Sequence, residues 1–149
     1  MPMRFRDHNW KLLFNSSSDG TSLITFYSKL YDSGPTIILI EDKAGHVFGG
    51  YASEDWKVQP RYFGTGESFV FAVKPKFTVY NWTSANDYFI QANHHYIAMG
   101  GGTNGGYAFY LDSELHWGTS ETSNTFLNRQ LSSTKEFYCT VVEVWGFSI

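Results

Sequence analysis

The chain has 149 residues and a net charge of −3 at pH 7, and its 11 lysines and arginines are scattered along the sequence. This pattern disfavours nucleic-acid binding, which needs a basic patch or stripe. With 42% hydrophobic and 17% charged residues, the composition excludes a disordered chain and fits one domain with a sizeable core. Phe, Tyr and Trp make up 19% of the residues, which favours β-strands.

The single cysteine, Cys139, excludes both a disulfide within the chain and a four-cysteine zinc site. Residues 1–10 contain no apolar stretch of the kind found in signal peptides, and no run approaches the length of a membrane-spanning helix. We therefore expect a cytoplasmic protein in a reducing compartment, without a transmembrane segment.

The first third of the chain predicts a strand, a loop and a helix. Residues 1–9 are polar, and we expect them to form a flexible lead-in to a single domain over residues 10–149. Residues 10–14, WKLLF, predict the first strand, and residues 15–20, NSSSDG, predict a loop.

A helix is predicted next, because large apolar residues recur there every three or four positions. Thr21 or Ser22 can cap its start, and the Gly-Pro pair at 34–35 ends it. The residues that define the predicted apolar face are Leu23, Tyr27, Leu30 and Tyr31, joined by Ile24.

After residue 35 the pattern changes to short apolar or alternating runs, which are typical of β-strands. In the run 77–82, alternation predicts that Phe77 and Val79 face the opposite side from Thr78 and Tyr80. Many short strands with one helix predict a mostly β fold, namely a two-sheet antiparallel β-sandwich with a few short helices. The predicted strands are residues 36–40, 46–52, 68–73, 77–82, 88–92, 95–99, 107–111 and 140–147, and residues 120–133 are polar with room for a short helical turn.

Glycines occur in two places in the segment FGGYASEDWKVQPRYFGTGESFVF at residues 48–71. Gly49 and Gly50 form one pair, and Gly64 and Gly66 lie just before an acid, Glu67. Glycines at such points indicate positive φ angles or close backbone approach. A phosphate-binding loop is not indicated, because neither a Lys-Ser/Thr pair nor a helix follows.

A third glycine cluster begins at Gly100 and Gly101 and continues to residue 106 as GGGTNGG. A strand pattern follows at Tyr107 instead of the helix that a phosphate site requires. We expect a flexible hairpin loop, and its lack of side chains would let the backbone of a partner approach closely.

Metal binding is not expected from the histidines. His94 and His95 are adjacent, and His116 and Glu114 follow downstream. Neighbouring residues of a regular strand point to opposite faces, so His94 and His95 would not converge on one ion. We expect neither a metal nor a cofactor.

Acids and the cysteine are interpreted as structural. Glu67, Asp112 and Glu143 would be general acids or bases only if they were buried together, and Glu143 is expected to pair with a buried backbone group or with Arg129. Cys139 lies in an apolar run without a second cysteine, so a buried inert thiol is favoured over a peroxide-reducing one.

Three tryptophans, Trp56, Trp82 and Trp117, are candidate surface anchors. Exposed aromatic side chains on a sandwich would suit a carbohydrate-binding module. The alternative is that they are core residues, because large aromatics are buried far more often than they bind sugars.

Taken in order, the motifs of residues 10–149 resemble the TLDc domain family, which oxidation-resistance proteins, nuclear receptor coactivator relatives, TBC-type synaptic proteins and EAK-type proteins share. The order of the motifs carries the resemblance, although each is weak alone. They are WKLLF, SLITFY, GPTIILIEDKAGHVFGGYASEDWK, FGTGESFVF, YNWTSANDYFI, the glycine run at 100–106, YAFYLDSELHWGTS, TFLN and EFYCTVVEVWGF.

The resemblance implies a β-sandwich, a role in protection against oxidative stress, and binding to the cytosolic sector of the vacuolar-type proton ATPase, which would recruit the protein to organelle membranes. It implies no established reaction. We expect a non-enzymatic protein-interaction domain, with a redox-defence enzyme or scavenger and an inert structural domain as alternatives. The candidate interaction or structural residues are Gly49, Gly50, Glu54, Trp56, Gly64, Gly66, Glu67, Gly100, Gly101 and Asp112.

Overall fold

A computed structural model describes residues 9–102 and 106–148 of the chain. The predicted lead-in at residues 1–9 therefore lies outside the described residues, except for Asn9, which begins the first strand. Residues 103–105 of the predicted glycine loop also lie outside them.

Within the described residues the fold is mostly β, with ten strands and two short helices. The elements are β1 (Asn9–Asn15), α1 (Ser16–Asp19), α2 (Leu23–Lys29), β2 (Thr36–Asp42), β3 (Val47–Ala52), β4 (Phe69–Lys74), β5 (Thr78–Tyr80), β6 (Ile90–Ala92), β7 (Tyr96–Met99), β8 (Phe109–Asp112), β9 (Trp117–Thr119) and β10 (Glu136–Ser148).

The predicted helix is confirmed as α2. The Ser22 side chain caps it by accepting a hydrogen bond from the backbone N–H of Ile24 at 3.1 Å. The prediction of its buried face is confirmed for Leu23 and Leu30, which are buried, and for Tyr27, which packs against the core. It is wrong for Ile24 and Tyr31, which are 83% and 85% exposed, and it missed Phe26, which is fully buried. The one-turn helix α1 occupies part of the predicted loop, and the side chain of Asn15 caps it. Neither described helix has the length and apolar character needed to cross a bilayer.

All strand pairs are antiparallel, and the strands form one continuous hydrogen-bonded sheet. Its order is β5-β4-β3-β2-β10-β9-β8-β7-β6, and β1 also pairs with β10. The long strand β10 connects the two arms of this sheet, since its start pairs with β9 and its remainder pairs with β2 and β1. The mostly β antiparallel prediction is confirmed, but a sandwich of two separate sheets is not shown, because β10 belongs to both arms.

The first arm, β1 to β5, and the second arm, β6 to β9, share one core. Buried side chains of both arms belong to the same cluster, including Ile38 and Phe48 from the first and Ile97 from the second. Phe48 packs edge-on against Phe137 of β10, with ring centroids 5.2 Å apart. Burial of these large side chains is the main source of stability for such a fold.

Strand β2 is apolar on both of its faces. Its inward residues Ile38 and Ile40 join the core, whereas Ile37 belongs to a second, smaller cluster with Phe69 and Phe71 of β4. Because successive strand residues point to opposite faces, this second cluster lies on the outer face of the first arm.

Most strands differ from their predicted bounds by one or two residues, and β5 and β10 differ most in what they imply. β5 ends at Tyr80, so Trp82 lies in the following loop, and β10 begins at Glu136, four residues before the predicted start at residue 140. β9 is absent from the prediction. Residues 120–133 hold the predicted short turn, in which the N–H of Leu127 donates to the carbonyl of Ser123 at 2.8 Å, and contain no helix beyond it. Three residues with a central glycine provide too little alternation to identify a strand, and β9 is held by its pairing with β8 and β10.

Candidate interaction surfaces

Gly49 and Gly50 lie inside β3, and the structure gives both a packing role. A β-carbon at Gly49 would lie 1.8 Å from the backbone oxygen of Ile38. A β-carbon at Gly50 would lie 2.6 Å from the sulfur of Met99 on the second arm. Both glycines are buried, so close packing within the sheet and across the core explains why these positions lack side chains.

The segment between β3 and β4 is held by side-chain caps on its own backbone. The carboxylate of Glu54 accepts a hydrogen bond from the N–H of Gly64 at 3.1 Å, and the hydroxyl of Ser53 accepts one from the N–H of Thr65 at 2.8 Å. The hydroxyl of Ser68 donates to that of Ser53 at 3.0 Å. Glu54 therefore stabilises the conformation of this segment by capping the N–H of Gly64.

The three tryptophans have different environments. Trp56 is 1% exposed and packs edge-on against Phe26 of α2, with centroids 5.9 Å apart, so it is a core residue. Trp82 and Trp117 are 40% and 57% exposed. Trp82 lies over Gly66, where a β-carbon would be 2.3 Å from its ring, and its indole N–H donates to the carbonyl of Asn86 at 2.7 Å.

Thr125 connects three loops through its hydroxyl. The hydroxyl accepts a hydrogen bond from the N–H of Gly101 at 3.1 Å and donates to the side-chain oxygen of Asn86 at 2.6 Å. Beside this contact the rings of Tyr62 and Tyr88 stack with centroids 4.6 Å apart. Burial, together with the neighbouring tyrosines, raises the pKa of Tyr62 to about 12.

These contacts bring four segments together into what we call the loop cluster, namely residues 53–68, 81–89, 100–102 and 123–128. The predicted site residues that lie in this cluster are Glu54, Trp56, Gly64, Gly66, Glu67, Gly100 and Gly101. Glu67 is exposed, and its N–H donates to the hydroxyl of Thr65 at 3.3 Å. Gly100 has a φ of +79° and lies against Ala108 and Ser123, which favours glycine there.

Asp112 lies away from the loop cluster, at the opposite end of β7. It pairs in register with Tyr96 at the start of that strand, whereas Gly100 follows the last residue, Met99. One Asp112 oxygen accepts hydrogen bonds from the N–H groups of Glu114 at 3.2 Å and His116 at 3.0 Å. Asp112 thus closes the turn between β8 and β9.

Glu143 does not join the other predicted acids. Its carboxylate accepts hydrogen bonds from the side-chain amide of Asn15 at 3.0 Å and from the indole N–H of Trp145 at 3.3 Å. The expected pairing of Glu143 with a backbone group or with Arg129 is therefore wrong, because side chains on the neighbouring strand end and on β10 itself already occupy the carboxylate.

The cysteine is buried, and the described histidines do not gather into a metal-binding group. Cys139 is 3% exposed, and burial raises the pKa of its thiol to about 12. His116 lies 3.8 Å from Glu114, measured from Nδ1 to the carboxylate. Residues 9–102 and 106–148 contain no group of three His, Cys, Asp or Glu side chains able to hold a metal ion.

An apolar groove of about 400 Å³ runs over the outer face of the first arm. Trp10 on one side and Phe77 on the other are 46% and 68% exposed. Strand alternation in the sequence predicted the outward side chains of β5. The sheet adds outward side chains from β1, β2 and β4, and together these line the groove. The residues that we use to define the apolar groove are Trp10, Ile37, Leu39, Phe71, Phe77 and Val79.

Comparison with known proteins identifies the family. A model of the TLDc domain matches residues 1–148. Oxidation resistance protein 1 of Homo sapiens is 39% identical over 148 residues, which cover 99% of this chain and 17% of that protein. The same protein of Xenopus tropicalis is 36% identical over 148 residues, which cover 99% of this chain and 17% of that protein.

Nuclear receptor coactivator 7 of Homo sapiens is 35% identical over 148 residues, with coverage of 99% of this chain and 16% of that protein. The chain therefore spans less than a fifth of the length of these relatives. The family model and the relatives agree over nearly all of the sequence, and the chain belongs to the TLDc domain family.

Proposed function

We propose that this chain is a non-enzymatic protein-interaction domain in oxidative-stress protection and that its partner is the cytosolic sector of the vacuolar-type proton ATPase. The protective role is supported by the relative named oxidation resistance protein 1, and the partner by the family to which the chain belongs. In this proposal the protein is cytoplasmic and reaches organelle membranes through its partner.

The apolar groove is the observation that carries the interaction role. Contiguous apolar surface that remains exposed on a folded domain marks sites of association. Trp10 and Phe77 each keep a large part of their ring in solvent, and fully burying such a side chain contributes about 2 kcal/mol. Two aromatic residues at the borders of a groove provide the anchors that dominate many protein interfaces.

Co-purification with the ATPase sector tests the proposal. Tagged wild-type chain is expected to retain the sector, whereas Trp10→Ser and Phe77→Ser are expected to lose most of it. Ile24→Ser is the matched control, because Ile24 is an apolar side chain that is 83% exposed outside the groove. Absence of the sector from the wild-type sample would overturn the proposal.

The loop cluster is a second candidate contact surface within the same function. Glu67→Ala tests it in the same co-purification, because Glu67 is exposed on this cluster. If Glu67→Ala loses the sector and Phe77→Ser retains it, the interface lies at the loop cluster and not at the apolar groove.

A redox-defence enzyme is the alternative function, and Cys139 is poorly suited to it. A reactive thiol must be accessible and easily deprotonated, whereas this thiol is buried and burial raises its pKa to about 12. Sustained turnover of peroxide by purified, metal-free protein would favour the enzyme over the interaction domain.

A further inference from the structure

A second cavity, of about 550 Å³, lies on the inner side of β5. It is bordered by His46 just before β3, by Lys76 between β4 and β5, and by Arg129 in the segment that precedes β10. We call it the cationic pocket. Its size falls in the range of about 300–1,000 Å³ that is usual for pockets that bind small ligands.

The charge of this pocket is opposite to that of the whole chain. The chain carries a net charge of −3, yet the described lining contains Lys76, Arg129 and His46 and neither Asp nor Glu. A concave site lined by one sign of charge concentrates its field and attracts the opposite charge. His46 adds an N–H donor in either protonation state.

The two cations are not neutralised by neighbours. Lys76 and Arg129 are exposed, and neither forms an ion pair with another residue that the structure describes. In contrast, Lys29 lies 3.7 Å from Asp19 and Lys135 lies 3.3 Å from Glu121.

The acid that contacts the backbone of His46 has both of its oxygens engaged. Asp42 is 1% exposed, and one of its oxygens accepts from the N–H of His46 at 2.9 Å. The other oxygen accepts from the N–H and the hydroxyl of Ser133, each at 2.8 Å. The cations of the pocket therefore remain available for a ligand.

The remaining lining favours a peptide over a free phosphate. Pro75 and the ring of Tyr80 supply apolar surface beside the charges, and Thr78 and Ser132 lie among them. Phosphate sites commonly use the N–H groups of a helix N-terminus, and the described lining includes no helix. An acidic peptide can place carboxylates on the cations and apolar side chains on the remaining surface.

We propose that the cationic pocket, bordered by His46, Lys76 and Arg129, binds an acidic peptide segment of a protein partner. The inference rests on the proposed function in taking that partner to be a protein, and it assigns to the partner a run of Asp or Glu residues with interspersed apolar side chains. The pocket lies on the opposite face of β5 from the apolar groove, so both sites can be occupied at once.

The test is a titration of the full chain with a fluorescein-labelled peptide of six glutamates and two leucines, followed by fluorescence anisotropy. The same peptide with glutamine in place of glutamate is the control ligand. Amide chemical shifts of Thr78, Arg129 and Ser132 locate the binding. Wild type is expected to bind the acidic peptide, to lose binding as salt rises from about 0.05 M to about 0.5 M, and to ignore the glutamine peptide.

Charge variants identify the pocket. Lys76→Gln and Arg129→Gln are each expected to weaken binding about three-fold, and the double variant about ten-fold, as is usual for exposed ion pairs. Lys57→Gln is the matched control, because it removes the same charge from an exposed residue that does not line the pocket. Equal weakening by Lys57→Gln, or unchanged binding by the double variant, would overturn the proposal.

Competition with inorganic phosphate tests whether the pocket binds phosphate instead of an acidic peptide. If millimolar phosphate displaces the peptide and shifts the same amides more strongly, the pocket is a phosphate site and the proposal is wrong. Co-purification of the ATPase sector separates the two hypotheses. Peptide binding without the sector would overturn only the proposed function, and sector binding without peptide binding would overturn only the pocket.

Discussion

The sulfur of Met99 on β7 lies 2.6 Å from the position that a β-carbon on Gly50 of β3 would occupy. This contact joins the two arms of the sheet across their shared core. We expect Gly50→Ala to lower the free energy of unfolding by about 1–3 kcal/mol, the usual cost of overpacking. Urea denaturation followed by tryptophan fluorescence measures the change.

Gly49→Ala is the comparison for this prediction. The nearest atom to its β-carbon is the backbone oxygen of Ile38, at 1.8 Å, and backbone cannot rotate away as the Met99 side chain can. Gly49→Ala should therefore cost more than Gly50→Ala. If Gly50→Ala left the urea midpoint unchanged, the tight packing of Gly50 against Met99 would be contradicted.

Asp42 is expected to stabilise the fold most above its ordinary pKa. Burial raises the pKa of Asp42, but hydrogen bonds from Ser133 and His46 outweigh burial and hold the pKa below its usual value. A lowered pKa in the folded state stabilises the protein above about pH 4, and this contribution is lost as the pH falls through the folded pKa.

Asp42→Asn should reduce the free energy of unfolding at pH 7 by about 1–3 kcal/mol, because it weakens hydrogen bonds to a buried carboxylate. The difference from wild type should shrink as the pH falls below about 4. Asp87→Asn, at an exposed position, is the control and should change little. A difference that stays constant from pH 7 to pH 2 would argue against the role of the charge.

The thiol of Cys139 should be almost unreactive in the folded protein. Its pKa is raised to about 12, chiefly by burial, so the thiolate fraction at neutral pH is very small. We expect iodoacetamide to modify Cys139 slowly at pH 7 in native protein and rapidly in urea, as followed by mass spectrometry. Fast native modification would show that the thiol is accessible.

The raised pKa of Cys139 also predicts that the protein loses stability at high pH. A pKa raised in the folded state stabilises the protein fully below the unfolded value of about 8.5, and the contribution is lost as the pH rises toward about 12. Cys139→Ser lacks a thiol, so its unfolding free energy relative to wild type should improve as the pH increases through this range.

Thr125→Val should loosen the loop cluster. The valine keeps the shape but removes the hydroxyl that accepts from Gly101 and donates to Asn86. We expect a loss of about 1–3 kcal/mol, because a buried N–H loses its partner. Thermal unfolding measures the loss, and faster amide hydrogen exchange at Gly101 locates it. Thr140→Val, at an exposed site, should stay within about 0.5 kcal/mol of wild type.

The sequence alone predicted most strands and the helix because their periodicities differ. Alternation predicted that Phe77 and Val79 face one side of β5 and Thr78 and Tyr80 the other, and these pairs line the apolar groove and the cationic pocket respectively. The buried face of α2 was misjudged at Ile24 and Tyr31, which fit the same spacing as the residues that are buried but are exposed. The spacing of apolar residues predicts that a helix has a buried face, but packing against the rest of the protein decides which residues that face contains.

Other features depended on which strands meet in space. β9 has too few residues for a pattern, and the connection of both arms through β10 requires pairings between distant segments. The sequence shows glycines at positions 49 and 50 but not why side chains are excluded there. The atoms that exclude them belong to Ile38 and Met99, which are distant in sequence.

Composition and motif order determined that this is a mostly β TLDc domain with one buried cysteine, because strand periodicity and family motifs are local properties of the chain. Only the tertiary structure decided that Trp56 belongs to the core, that Glu54 braces a loop, and that an apolar groove and a cationic pocket lie on opposite faces of β5. Burial and surface charge arise from neighbours distant in sequence, so they appear only when the sheet is assembled.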